Sequence, residues 1–384
     1  MFTKGHKHME YRSFDKLGIE TSLLGYGCMR FPTTPDGKID EAEAERLLDK
    51  AYDNGVTYFD TAYAYHNGES EPVVGKIMKK YPRNSFYLAT KLPVWLIMTP
   101  EDIDRIFNEQ LDKLQTDYID FYLIHALNRD KWHNMLNVDC VNKLLKFKEE
   151  GKIKYLGFSF HDDYDAFEEI INYMDWDFAQ IQFNYMDCDE QATFKGYDLA
   201  KSKGIPLIIM EPVKGGTLAK LTDDIMDMFH KHDASATAAS YALRWVGSLD
   251  NVKVILSGMT TMEQLDDNLK TFDKFIPLSD EENKTIAAAK DIILSRTKNG
   301  CTGCGYCMPC PMGVDIPGTF QCWNRYNMYQ NFDAVSWKWN NEIGDAHQPK
   351  NCIECGKCEA ACPQHIPISE QLKVAQEELD EVGN

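Results

Sequence analysis

Between Leu23 and Phe272 the sequence repeats one pattern eight times: a short apolar run, then a longer amphipathic stretch. The runs lie at 23–28, 56–59, 86–90, 119–124, 153–158, 178–183, 206–210 and 252–256. Helical periodicity fills the gaps, as at 41–54, 101–114, 141–150, 234–246 and 262–272. Gly55, Gly151 and Gly204 close helical stretches directly ahead of the next run, a C-cap signal. Strands separated by helices pair in parallel through right-handed crossovers. Left as an open sheet, eight such strands would keep two bare edges, and closure removes them. We therefore expect an α/β chain folded as a (β/α)8 TIM barrel. A doubly wound open sheet would carry a G-x-G-x-x-G turn after its first strand, and Gly25-Tyr26-Gly27-Cys28 lacks that pattern.

After Pro277 the composition changes. A long helix over 279–298 opens on a Ser-Asp-Glu-Glu cap, and cysteines, prolines and aromatics follow. This places a boundary near Asn299, with a barrel over 1–298 and a small helical, ferredoxin-like domain over 299–384. Eight of the twelve cysteines fall there in two runs. The first is Cys301, Cys304, Cys307 and Cys310, then Pro311; the second is Cys352, Cys355, Cys358 and Cys362, then Pro363. The second run has the spacing of bacterial ferredoxins, in which three close thiolates hold one [4Fe–4S] cluster and the fourth crosses to the other. The first is the same motif one residue shorter. By that logic Cys301, Cys304, Cys307 and Cys362 hold one cluster, and Cys352, Cys355, Cys358 and Cys310 hold a second. Structural zinc would want two pairs separated by a longer loop, and here four thiols crowd into each run. Cys28, Cys140, Cys188 and Cys322 lie outside the runs and read as small buried hydrophobes.

About forty residues separate the runs and carry Phe320, Trp323, Tyr326, Tyr329, Phe332, Trp337 and Trp339. A small cluster domain has little core of its own, so these aromatics are expected to pack its helices or dock it on the barrel. A lid over substrate is the other use for them. The formal net charge of −19 argues against binding nucleic acid through phosphate neutralisation. No apolar run approaches the roughly 20 residues of a membrane span. The first ten residues have no apolar stretch of a secretory leader. With clustered thiols that need a reducing compartment, these features lead us to expect a cytoplasmic protein. His6 and His8 read as part of a solvated tail rather than as a metal pair.

Barrel enzymes place their chemistry at the C-terminal ends of strands. Those ends carry Asp60 and Tyr65 after the second run, Lys91 after the third and His125 after the fourth. Together they form an acid-catalysis set. Tyrosine is a poor acid at neutral pH unless a cation lowers its pKa, and Lys91, held by Asp60, is placed to do that. His125 is then free to orient a carbonyl oxygen.

With these motifs on 9–275, the chain resembles the aldo-keto reductase family. The matching segments are Asp60-Thr61-Ala62…Tyr65…Gly68-Glu69-Ser70-Glu71, Tyr122-Leu123-Ile124-His125 and Ile153-Lys154-Tyr155-Leu156-Gly157-Phe158-Ser159. The tail is similar to that of the ferredoxin-tailed subgroup. The resemblance implies a catalytic tetrad of Asp60, Tyr65, Lys91 and His125, with NAD(P)H as cofactor and a small carbonyl or alcohol as substrate. It places Ser159, Gln180, Met210, Pro212, Lys214 and Asn268 along the cofactor. Lys214 aligns with the pyrophosphate. The sequence departs from the family in three places: Met210 replaces a stacking aromatic, Phe160 replaces an amide, and 257–269 has no Lys or Arg where NADPH users grip the 2′-phosphate. Glu263, Asp266 and Asp267 stand there instead, which favours NADH. The same resemblance extends to channel-associated subunits, so the alternative is a redox-sensing or electron-transfer subunit whose barrel docks a partner protein. An intact tetrad speaks against it. Nicotinamide carries two electrons and a cubane one, and no flavin motif bridges them, which leaves the clusters structural or wired to a partner or an unrecognised flavin.

Overall fold

A computed structural model describes residues 9–383; His6 and His8 lie outside the described residues. The chain divides into two compact units, one formed by residues up to Lys214 with Ala239–Leu278, the other by Gly215–Ala238 with residues from Ser279 onward.

The first unit opens on an antiparallel hairpin of β1 (Tyr11–Phe14) and β2 (Ile19–Ser22), an element that the apolar pattern did not announce. Eight parallel strands then close into a barrel. They are β3 (Leu24–Gly27), β4 (Tyr58–Asp60), β5 (Tyr87–Leu92), β6 (Ile119–Leu127), β7 (Ile153–Phe160), β8 (Phe178–Gln182), β9 (Leu207–Met210) and β10 (Val252–Ser257). Each coincides with one of the eight apolar runs, and β10 pairs with both β9 and β3 to complete the ring.

Side chains alternate across each strand, so one residue of every pair points into the barrel. Tyr58, Tyr87, Ala89, Phe121, Leu123, Phe178, Ile208, Val254 and Leu256 fill the interior, and Phe14 of the hairpin packs among them. Phe59, Leu88, Tyr122, Ile124, Phe158 and Ile181 face the surrounding helices. Gly157 is inward by the same count, and a Cβ there would sit 2.5 Å from Phe178 O, so only glycine fits. With the lower barrel filled by aromatics, open chemistry is confined to the upper rim, where the strands end.

In the second unit the helices Asp280–Ser295, Ile316–Tyr329 and Ile368–Gly383 are the longest. Ser279 caps the first with Glu282 in a reciprocal capping box, as its sequence indicated. By its contacts this helix groups with the second unit, which takes up the chain again at Ser279. Segment 215–238 joins it because Arg296 donates to Thr222 Oγ1 at 3.1 Å and pairs with Asp224 at 2.8 Å. Phe320, Trp323 and Trp339 are core residues of this unit, with Tyr326 and Phe332 packed against them; Trp337 is exposed. No helix among the described residues is long and apolar enough to cross a membrane.

Candidate active site

The alternation that fills the barrel also aims its rim. Counting on from Tyr58 puts Asp60 inward, counting on from Tyr87 and Ala89 puts Lys91 inward, and Phe121 and Leu123 lead to His125. The structure brings these three and Tyr65 together. Lys91 is 2% exposed, and its ammonium donates to Asp60 Oδ1 at 2.6 Å, Thr61 O at 2.8 Å and Tyr65 Oη at 3.3 Å. All three ammonium protons are therefore used, and one of them reaches the phenol. Tyr65 comes from a 3₁₀ turn, Tyr65–Gly68, directly after β4. Its ring stands edge-on to His125, with centroids 6.3 Å apart.

Burial dominates the electrostatics. It pushes the Asp60 carboxyl up, against the pull of Lys91 and of Gln180 nearby. It pushes the Tyr65 phenol up as well, and Lys91 only partly offsets that, so the expected net lowering of this pKa is not what the surroundings produce. Lys91 is held above its ordinary value because Asp60 and Tyr65 outweigh its own desolvation. His125 is driven well below its ordinary range by burial, then by the charges of Lys91, His161 and Lys131. The site at rest thus contains a protonated tyrosine, a charged lysine and a neutral histidine.

Three buried polar atoms at the rim have no hydrogen-bond partner among the described residues: Asp60 Oδ2, His125 Nδ1 and Gln180 Oε1. Buried polar groups are rarely left so, and an orphan acceptor beside an orphan imidazole fits a ligand that carries an amide and a carbonyl. Ser159 and Gln180 face each other in register on β7 and β8, and both are buried. Met210 is inward on β9 and Pro212 is buried just beyond it. Lys214 is engaged elsewhere: its ammonium forms an ion pair with the buried carboxylate of Asp187, which also accepts from Asn184 at 2.9 Å. Asn268 donates to Ser257 Oγ at 2.8 Å. Phe160, which stands in for an amide, points away from the interior and packs on Phe167. His161 lies close enough for its charge to act on His125.

Several neighbours escaped the sequence reading. Trp95, 45% exposed, lies with its ring 5.1 Å from that of His125. Glu71 is fully buried behind Lys91, accepting from Thr90 Oγ1 and Gln110 Nε2 at 2.6 Å each, while Gln110 also donates to Lys91 O at 3.1 Å. The segment after β10 receives two cations from distant sequence. Lys50 pairs with Asp266 at 2.5 Å, and the stem of the exposed Arg30 lies on Gly258. The motif Gly68-Glu69-Ser70-Glu71 was the available hint to the Glu71 network; nothing in local spacing pointed to Arg30.

In the second unit the cysteines sort by cavity. Cys310, Cys352, Cys355 and Cys358 rim one cavity together with Cys307. Cys301, Cys304, Cys307 and Cys362 rim another. One cavity thus takes three thiols of the first run and one of the second, the other takes three of the second and two of the first, and Cys307 and Ile316 line both. Among the described residues no three His, Cys, Asp or Glu side chains gather closely enough for a single ion. Thiols spread around a cavity fit a cubane, which is wider than one ion. Cys28, Cys140, Cys188 and Cys322 are buried.

Residues 23–291 match the aldo/keto reductase family, and residues 300–366 match a 4Fe-4S dicluster domain. The chain is 24% identical over 363 residues to "Probable aldo-keto reductase 1" of Glycine max, covering 84% of this chain and 93% of that protein. It is 25% identical over 309 residues to the NADH-specific methylglyoxal reductase of Escherichia coli, covering 69% and 93% respectively. Among solved structures, the holo form of aldo-keto reductase AKR11C1 from Bacillus halodurans superposes with a TM-score of 0.61 at 24% identity, over 73% of this chain and 96% of that one.

Proposed function

The chain belongs to the aldo/keto reductase family and carries a 4Fe-4S dicluster domain, and on that premise we propose that it interconverts a small carbonyl compound and its alcohol with a nicotinamide cofactor. Bound there, the nicotinamide supplies or accepts the hydride. Ser159 and Gln180, paired across β7 and β8, would hold its carboxamide. Neutral His125 orients the substrate oxygen and Tyr65 gives it a proton. Because burial holds the phenol pKa up, Tyr65 keeps its proton until negative charge develops on that oxygen. Lys91 then stabilises the tyrosinate, and Asp60 keeps Lys91 charged and in place.

The observation that carries this reading is the three-way donation of Lys91, which couples a buried carboxylate to a phenol at the barrel mouth. Tyr65→Phe should abolish carbonyl reduction while nicotinamide binding stays nearly unchanged. Turnover surviving within about tenfold would remove Tyr65 as the acid, since general acids contribute roughly a hundredfold or more.

For the cofactor we favour NADH bound at least as tightly as NADPH. The residues at 257–269 offer no cation of their own, and of the two that the fold brings, Lys50 is engaged by Asp266. The Escherichia coli relative is named as NADH-specific. For the clusters we favour a structural role, with Cys301, Cys304, Cys307 and Cys362 binding one and Cys310, Cys352, Cys355 and Cys358 the other. Six of these eight cysteines pack against the core of the second unit, so cluster binding and folding are one event there. Oxidative loss of the clusters should then cost helical signal in circular dichroism, and an unchanged spectrum would point to an electron-transfer role and a partner protein. Oxygen-labile clusters and free thiols fit a reducing cytoplasm.

A further inference from the structure

β6 alternates regularly up to His125 and breaks step with its neighbour there. Its register with β7 holds from Ile119 to Ile124, then slips, so that Ile124 faces Phe158 and Leu127 faces Phe160. Three steps on one strand against two on the other make a bulge of His125 and Ala126, which re-aims the side chain there. Ala126 adopts φ +51°, a left-handed conformation that a residue with a Cβ rarely takes and that its surroundings must hold. A bulged residue also takes its backbone N–H and C=O out of the ladder.

Both groups have been taken up by side chains from outside β6. The Ala126 N–H donates to Ser159 Oγ at 2.7 Å, and Lys131 Nζ donates to Ala126 O at 3.1 Å. Lys131 is set for this by the helix Arg129–Asn137, whose cap residue Asn128 accepts its N–H at 2.8 Å. The ammonium is half-buried and makes no ion pair with a carboxylate among the described residues. We propose that Lys131 is a positioning residue for the reaction: with Ser159 it clamps the Ala126 bulge, and so fixes the direction in which β6 presents His125 to the barrel mouth. The inference rests on the reading of His125 given above.

His125 is faced by Tyr65 from the loop after β4, Lys91 from β5, Trp95 from the loop after β5, His161 from beyond β7 and Lys131 from the helix after β6. Lys131 therefore acts on it twice, through the backbone and through charge, and removing the charge lets the imidazole hold a proton at higher pH.

The test uses the full, cluster-loaded chain with Lys131→Met, Lys131→Arg, His125→Phe and the double variant Lys131→Met/His125→Phe. Lys131→Met should lower kcat about tenfold to a hundredfold, the scale of a misplaced catalytic group, with cofactor affinity and iron content unchanged. The acid limb of its pH–rate profile should move to higher pH. Lys131→Arg, which keeps the donor and the charge, should restore most of the rate. In the His125→Phe background, Lys131→Met should have no further effect. Should His125→Phe lose activity while Lys131→Met stays within twofold of the parent with an unmoved profile, the clamp is overturned and the reading of His125 stands. Additive losses in the double variant, or an arginine variant as poor as the methionine one, would also overturn it. Full activity in His125→Phe would overturn the reading of His125 and the clamp together. If Lys131→Met fails to fold, the His125 imidazole titration in Lys131→Arg and Lys131→Gln decides between the same outcomes: the glutamine variant must titrate at higher pH than the arginine one, and equal titration overturns the clamp.

Discussion

Replacing Lys91 with methionine strikes the arrangement at its most buried point. Methionine fills much of the stem's volume and donates nothing, so Asp60, itself 2% exposed and with Oδ2 unpartnered among the described residues, loses its counter-ion at 2.6 Å. At that separation and an effective dielectric of about 20, the direct attraction is roughly 6 kcal/mol. Desolvation of the two charges offsets part of it, and removing one partner of a buried pair costs about 3–5 kcal/mol. That is a large share of the roughly 5–15 kcal/mol that holds a domain folded. Burial already keeps the Asp60 pKa above its ordinary value, and loss of Lys91 lifts it further. A group with a raised folded pKa contributes stability in full below its unfolded pKa and loses it as pH rises through the folded one. The penalty should therefore be greatest at about pH 8 and shrink as pH falls toward about 5. Adding Asp60→Asn should recover stability, because no charge is then stranded, and should leave the enzyme inactive. Guanidinium unfolding at the two pH values, with turnover on the same samples, measures all of this. A loss under about 1 kcal/mol, the range of an exposed pair, or one that does not shrink in acid, would refute the coupled buried pair.

Anaerobically prepared protein should contain about eight irons and eight acid-labile sulfides per chain, four of each per cubane, and zinc in their place would remove the cluster assignment. Fluorescence titration at fixed ionic strength should find NADH bound at least as tightly as NADPH. A tenfold preference for NADPH that vanishes in Arg30→Gln would show that the guanidinium of Arg30, whose stem lies on Gly258, supplies the missing phosphate contact. Because burial and the nearby Lys91, His161 and Lys131 hold His125 below its ordinary range, activity should persist well under pH about 6.5 before imidazole protonation removes it. A loss centred at or above that pH would contradict a neutral, buried His125.

How much of the site was legible follows from how each residue is placed. Asp60, Lys91 and His125 could be read because each lies a whole number of alternations from interior aromatics such as Tyr58, Tyr87 and Phe121, and alternation is a local property of the chain. The two cysteine runs could be read for a similar reason, since spacing brings thiols of both runs around each of two cavities. The N-terminal hairpin went unread: its strands are four residues each and carry mixed polar and apolar side chains, too short for periodicity to stand out.

Periodicity along the chain was enough for the barrel, and spacing for the two runs of cysteines, because both act between neighbours in the chain. Tertiary structure alone decided what those residues experience. Lys214 is drawn to Asp187, 27 positions away, and Ser159 reaches the backbone of Ala126 across 33. Arg30 lies on Gly258 from the other end of the barrel sequence. Burial, rather than Lys91, sets the direction of the Tyr65 pKa. Each of these depends on which distant groups share one low-dielectric space, and no local pattern encodes that.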